Sequence, residues 1–135
     1  MKLEKNKFPN ILNDQFLSIP ELLKVEDKFS IFAGPCAVES YEQIEITAKK
    51  LIQHNVKILR AGAYKPRTSP YDFQGLGKEG LRILDAIRKK YNLLVTSEIV
   101  DIRYMNLHMD HTDIIQIGAR NMQNFSLLKE LGGID

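Results

Sequence analysis

Three fixed positive charges crowd a short stretch near the middle of the chain. Arg60, Lys65 and Arg67 fall within the run Ile58-Leu59-Arg60-Ala61-Gly62-Ala63-Tyr64-Lys65-Pro66-Arg67-Thr68-Ser69-Pro70. Apolar, strand-forming residues lead straight into this loop. Like charges held so close repel one another, so the cluster gives an empty protein little. A ligand with several anionic oxygens relieves that repulsion, and a planar guanidinium fork matches carboxylate and phosphate oxygens two at a time. Thr68 and Ser69 add a hydroxyl pair, while Pro66 and Pro70 pre-set φ, so little entropy is lost in ordering the loop on binding. The chemistry expected here is the capture of a small, multiply anionic metabolite.

The remaining composition narrows the class. The chain has 135 residues, one domain's worth, with a formal net charge of +2. So even a balance argues against a nucleic-acid surface built on bulk charge, and places the weight on where the cations sit. The single cysteine, Cys36, leaves no internal disulfide to form and fits a reducing cytoplasm. Met1-Lys2-Leu3-Glu4-Lys5-Asn6-Lys7 lacks the apolar centre of a signal peptide. No apolar run approaches the roughly 20 residues of a membrane span. A cytoplasmic protein with neither a nucleic-acid nor a membrane partner is expected.

The elements that must position the cationic loop follow a rhythm. Residues 1–28, with Pro9 and Pro20, are read as an N-terminal extension carrying at most a short strand or helix; residues 29–135 form the domain. Residues 29–33 predict a strand ended by Gly34-Pro35. Ser40 followed by Gln43 is a capping-box signature, and Ile44, Ala48, Leu51 and Ile52 form the apolar stripe of a first helix. Residues 56–59 predict the second strand. Gly75 and Gly77 read as turn punctuation before a second helix striped by Leu81, Leu84, Ile87 and Tyr91. Residues 93–96 predict the third strand, running into Ser97-Glu98, then a short helix near 102–109 and a fourth strand at 114–117. Phe125, Leu128 and Leu131 stripe a last helix that Gly132-Gly133 would end.

Four successive β-α units imply a parallel sheet covered by helices. The chemically unusual residues, Cys36, the Arg60–Thr68 loop, Glu98 and Arg120, all fall at carboxyl ends of strands, the edge where parallel α/β folds bind ligands. Each carries an alternative. Cys36 is a ligand or a small hydrophobe. Glu98 orients a substrate or a water, or accepts hydrogen bonds from nearby arginines. His108 and His111, spaced to share a helix face, are read as surface or packing residues on the opposite edge. Lys49-Lys50 and Arg88-Lys89-Lys90 are read as solvated helix faces.

Four ordered motifs carry a family resemblance: Ala33-Gly34-Pro35-Cys36-Ala37-Val38-Glu39, Leu59 through Tyr71, Phe73-Gln74-Gly75-Leu76-Gly77, and Gln116-Ile117-Gly118-Ala119-Arg120-Asn121-Met122-Gln123-Asn124-Phe125. From about Phe29 to Leu131 the chain resembles the 3-deoxy-D-arabino-heptulosonate 7-phosphate (DAHP) synthases, in the shorter microbial branch related to the 3-deoxy-octulosonate phosphate synthases. The Gly118-Ala119-Arg120 run favours the heptulosonate side. The resemblance implies an α/β fold of the TIM (β/α)8-barrel family. Such barrels take about 250 residues, so the four units here are expected to be the first half of a barrel, cut or truncated.

The implied activity is the condensation of phosphoenolpyruvate with erythrose 4-phosphate to DAHP and phosphate, the first step of the shikimate pathway. A divalent metal, Mn, Fe, Zn or Co, would polarise the aldehyde. By the same resemblance Arg60 and Lys65 hold the phosphoenolpyruvate carboxylate, and Arg120 with the Ala119 amide holds its phosphate. Arg67 and Thr68, with Pro66 and Ser69 beside them, contact erythrose 4-phosphate. Lys65 and Glu98 are the catalytic candidates, and Cys36 is a metal ligand whose companions lie on later strands. A catalytically incomplete half-barrel that pairs with a second copy through its open sheet edges, and an octulosonate synthase, are the rival expectations.

Overall fold

The computed structural model describes Glu21 and residues 29–134. Apart from Glu21, the expected N-terminal extension lies outside the described residues, as does Asp135. Strands β1 (Phe32–Ala33), β2 (Ile58–Arg60), β3 (Leu94–Ile99) and β4 (Ile114–Ile117) form one sheet in the order β1-β2-β3-β4, and every pair is parallel. Helices α1 (Tyr41–Gln53), α2 (Lys78–Tyr91) and α3 (Met105–His111) make the crossovers, and α4 (Phe125–Leu131) follows β4. This is the four-unit β-α succession that the apolar rhythm predicts.

Local chemistry sets the elements. The Ser40 hydroxyl accepts the Gln43 backbone N–H at 3.1 Å and starts α1. The Gln43 side chain reaches back to accept from the Glu39 N–H at 3.0 Å, so the capping box closes one residue earlier than in the usual pattern. Gly75 and Gly77 hold φ values of 90° and 58°, a turn that other residues would strain, and Gly77 is the N-cap of α2. The core lies between the sheet and α1 and α2. Ile44, Ala48, Leu59, Leu84, Ile87 and Val95 are fully buried there. Each large aliphatic side chain so buried contributes about 1.5–3 kcal/mol relative to leaving it in water.

Some expectations shift. β1 is two residues long rather than five, and Phe29, Ile31 and Phe32 remain exposed. β1 has a strand partner on one side among the described residues, and an edge strand pairs over fewer residues. β3, paired on both sides, extends through Ser97 and Glu98 to Ile99. Ile52 is 44% exposed and does not belong to the α1 stripe. It stands one position past Leu51, a turn of about 100° around the helix. In α4 the buried residue is Leu127, while Phe125 faces out.

Arg88 is not part of a solvated face. Its Nε donates to Asp85 Oδ1 at 2.8 Å, Nη1 to Asp113 Oδ1 at 2.7 Å and Nη2 to the Asp110 carbonyl at 3.3 Å. Asp113 Oδ2 in turn accepts the Val95 N–H at 2.8 Å. This network ties α2 to the amino ends of β3 and β4. Lys89 and Lys90 are also paired, with Asp85 and Glu45. The periodicity of α2 shows which face is polar, but not that acidic partners on other elements meet it.

Candidate anion-binding site

Register decides which side chains meet. Arg60 pairs with Thr96, Thr96 with Ile114, and Glu98 with Gln116. Paired residues share a sheet face and residues two apart return to it, so Arg60, Thr96, Glu98 and Gln116 lie on one face. Leu59 and Val95 point the other way, into the core beneath the helices. The face that the helices leave uncovered therefore carries the polar residues.

Arg60, the last residue of β2, is half-buried, and its Nε donates to Gln116 Oε1 at 3.3 Å. Its guanidinium has no carboxylate partner among the described residues. Lys65 is 9% exposed and folds back so that Nζ donates to the Cys36 carbonyl at 3.0 Å. Gly62 makes room for this. A Cβ there would press on the Cys36 carbonyl and on the Lys65 side chain, at 3.0 Å from each. The Lys65 ammonium, by hydrogen bonding and charge, holds the exposed Cys36 thiol below its ordinary pKa; slight burial opposes this, and the charges of Arg60 and Arg67 assist. Cys36 thus feels the charges of Lys65, Arg60 and Arg67, although it comes from a separate loop.

Glu98 is 8% exposed and makes no hydrogen bond or ion pair among the described residues. Gly118 leaves space for its carboxylate, which would overlap any side chain placed there. Ala119 and Arg120 follow in the 3-10 turn Ala119–Asn121, and both are exposed. Arg67 and Thr68 are exposed on the loop, Pro66 is half-buried, and the Ser69 hydroxyl accepts the Tyr71 N–H at 3.2 Å. The loop is braced from within. The Lys65 N–H donates to the Gln74 carbonyl at 2.9 Å, and Gln74 Nε2 donates to the Ser69 carbonyl at 3.0 Å.

Two residues without an expected role take part. The Ser97 hydroxyl, buried, accepts the Ala63 N–H at 3.2 Å and pins the start of the loop to β3. Gln116 meets Arg60. Its distance along an alternating strand was the available signal, but that signal is blind to which partner lies across the sheet. His108 is a packing residue, as expected, yet not at the opposite edge. Its ring lies 5.9 Å from that of Tyr64, beside Lys65, and Tyr64 stacks on Tyr104 at 4.4 Å. Burial, then the charge of His111, lowers the His108 pKa to about 4, and neither ring nitrogen has a hydrogen-bond partner among the described residues.

Among the described residues no three His, Cys, Asp or Glu side chains lie close enough to hold a metal ion. Cys36 is a single donor and by itself does not make a site. No helix among them is long and apolar enough to cross a membrane.

Comparisons with known proteins identify relatives of the chain. A profile of the DAHP synthetase I family matches residues 18–135. A phospho-2-dehydro-3-deoxyheptonate aldolase of Thermotoga maritima is 51% identical over 104 residues, covering 77% of this chain and 31% of that protein. A 2-dehydro-3-deoxyphosphooctonate aldolase of Syntrophotalea carbinolica is 30% identical over 128 residues, covering 84% of this chain and 46% of its own length. The crystal structure of the Thermotoga DAHP synthase superposes with a TM-score of 0.72 at 50% identity, over 76% of this chain and 30% of that one. The chain therefore spans a third to a half of the length of these relatives.

Proposed function

We propose a function that starts from one fact: the chain belongs to the DAHP synthetase I family. Its four β-α units are the first part of a (β/α)8 barrel, with residues 29–135 as the barrel segment. In the whole barrel this segment supplies the anion-binding edge for condensing phosphoenolpyruvate with erythrose 4-phosphate. One observation carries the reading: three strands and one loop bring Arg60, Lys65, Glu98 and Gln116 to the carboxyl edge of the sheet.

In the reaction, C3 of phosphoenolpyruvate bonds to the aldehyde carbon of erythrose 4-phosphate, water adds at C2, and inorganic phosphate leaves. Arg60 and Lys65 hold the phosphoenolpyruvate carboxylate, and Arg120 with the Ala119 amide holds its phosphate. Arg67, Thr68, Pro66 and Ser69 line the approach of the sugar phosphate. Fixed cations on a rigid edge align two repelling anions with little reorganisation, which is where most of the rate gain is expected. Lys65, almost fully buried, delivers its charge with little solvent screening. Glu98, largely buried and with no side-chain partner among the described residues, orients the attacking water. A divalent metal bound by the whole barrel would supply polarisation of the aldehyde oxygen. Cys36 is the donor this segment would offer it.

The test is thermal unfolding of the purified chain with phosphoenolpyruvate. A ligand bound only by the folded state adds about 2.7 kcal/mol at a hundred times its dissociation constant. The melting midpoint should rise, and Arg60→Ala should abolish the rise. An unchanged midpoint at millimolar phosphoenolpyruvate would sink the claim that this segment already forms the clamp. Turnover by the full-length protein with erythrose 4-phosphate set against a five-carbon sugar phosphate separates the heptulosonate reading from the octulosonate one. The higher identity to the heptonate enzyme favours the former.

A second reading concerns assembly. β1 and β4 are the edges of the described sheet, and Phe29, Ile31 and Phe32 are exposed beside β1. Unpaired strand edges flanked by apolar side chains recruit another strand. In the isolated chain the partner is a second copy, giving a cytoplasmic homo-oligomer. Light scattering that shows a strict monomer at high concentration would remove it.

A further inference from the structure

We infer that Gln116 is a positioning residue for the anion clamp, fixing Arg60 by a neutral contact that leaves its charge unspent. This rests on the proposed phosphoenolpyruvate site. Arg60 reaches across β3 from β2 to β4, where its Nε donates to Gln116 Oε1 at 3.3 Å. The bond takes the inner nitrogen of the guanidinium, and Nη1 and Nη2 have no partner among the described residues. They are the pair that faces a carboxylate in a bidentate contact.

The choice of an amide is informative. Arg88, at the other end of the sheet, is held by the carboxylates of Asp85 and Asp113 and by a carbonyl, so its charge is neutralised and its donors are occupied. A carboxylate at position 116 would grip Arg60 more firmly, because an anionic acceptor adds charge–charge attraction to the hydrogen bond. It would also cancel the charge that an incoming anion needs. An apolar residue would leave the charge intact but free the guanidinium to swing, and the lost order would have to be restored on binding. An amide holds the guanidinium and leaves its full charge to the ligand. Gln116 also stands four residues before Arg120, so one strand orients the first arginine and leads into the second.

Two variants of the full chain test this, Gln116→Glu and Gln116→Leu, each read by two measurements. The first is the nuclear magnetic resonance signal of the Arg60 Nε–H, assigned by its loss in Arg60→Ala. The second is titration with phosphoenolpyruvate at pH 7.5. In Gln116→Leu the Nε–H should exchange rapidly with solvent, and affinity should fall about tenfold, the equivalent of about 1.4 kcal/mol. In Gln116→Glu the Nε–H should become better protected while affinity falls further. That opposition, tighter arginine and weaker ligand, is not produced by a residue that only supports the fold. Wild-type affinity in Gln116→Glu, or an unchanged Nε–H signal in Gln116→Leu, overturns the inference. If Gln116→Glu fails to fold, Gln116→Asn, which keeps the amide but shortens its reach, takes its place and should resemble Gln116→Leu. Failure of the wild-type chain to bind phosphoenolpyruvate would remove the ligand reading and the clamp with it. The Nε–H signal then separately decides whether Gln116 holds Arg60.

Discussion

Arg88 and Arg60 are the same residue at opposite ends of the same sheet, and their surroundings could hardly differ more. At the amino end, Arg88 donates to two carboxylates and a carbonyl, and one of those carboxylates also accepts the backbone N–H of Val95. At the carboxyl end, Arg60 has one neutral acceptor. Lys65 has a backbone carbonyl, and Arg120 has no ion pair among the described residues. Charge spent inside the protein holds the fold together, and charge left unspent is available to a ligand. One end of the sheet spends its charge on stability, and the other leaves charge open, as the proposed anion site requires.

The largest effect that would break this contrast is at the amino end. Arg88→Ala leaves Asp113 without its ion-pair partner and Asp85 with Lys89 and His111 alone. Breaking a fully buried pair costs about 3–5 kcal/mol. With these side chains still partly in contact with water, a loss of about 2 kcal/mol is expected in urea unfolding. A change below about 0.5 kcal/mol would mean that the network is ornamental.

The next effect concerns the packing behind the loop. The folded-state pKa of His108, about 4, lies below the value of about 6.5 that imidazole has in an unfolded chain. Between these values the unfolded chain binds a proton that the folded one refuses. Stability is therefore complete above pH 6.5 and is lost as pH falls toward 4, by up to about 1.4 kcal/mol per pH unit. The charge acting on the ring is that of His111 on its own helix, and the Tyr64 ring packs 5.9 Å from it. Melting curves of the wild type and of His108→Leu between pH 7 and pH 5 should diverge. Parallel curves would mean that the ring accepts its proton inside the fold.

The smallest effect on stability is expected where the largest effect on binding lies. Arg60→Ala removes one long hydrogen bond to a neutral acceptor and relieves repulsion with Lys65 and Arg67. Its unfolding free energy should change by no more than about 0.5 kcal/mol, in the range of substitutions away from buried networks, while phosphoenolpyruvate no longer shifts the melt. A variant that unfolded as readily as Arg88→Ala would erase the distinction between the two ends.

Much of this was legible in the amino-acid order. Apolar runs alternating with helical stripes specify a parallel sheet, because that periodicity reports burial directly. The family motifs mark the loops at the strand ends. What escaped depends on distance across the fold. Arg88 looks solvated when its helix is read alone, since Asp113 lies 25 residues away. Ile52 fits the spacing of a stripe yet turns to water, because spacing does not locate the middle of the buried arc. Gln116 stands in a motif, but its meeting with Arg60 is set by two successive strand registers, and neither is written in the local pattern.

The sheet order has a consequence for how the molecule is made. Each strand lies beside its neighbour in sequence, so the sheet can grow by one strand at a time as the chain leaves the ribosome. The contact between Arg60 and Gln116 spans 56 residues and skips over β3. It can form once β4 has docked, after the core beneath β1, β2 and β3 is in place. A nascent chain thus carries Arg60 early as a loose, solvated side chain, and its guanidinium is oriented, as the proposed anion site needs, when β4 arrives.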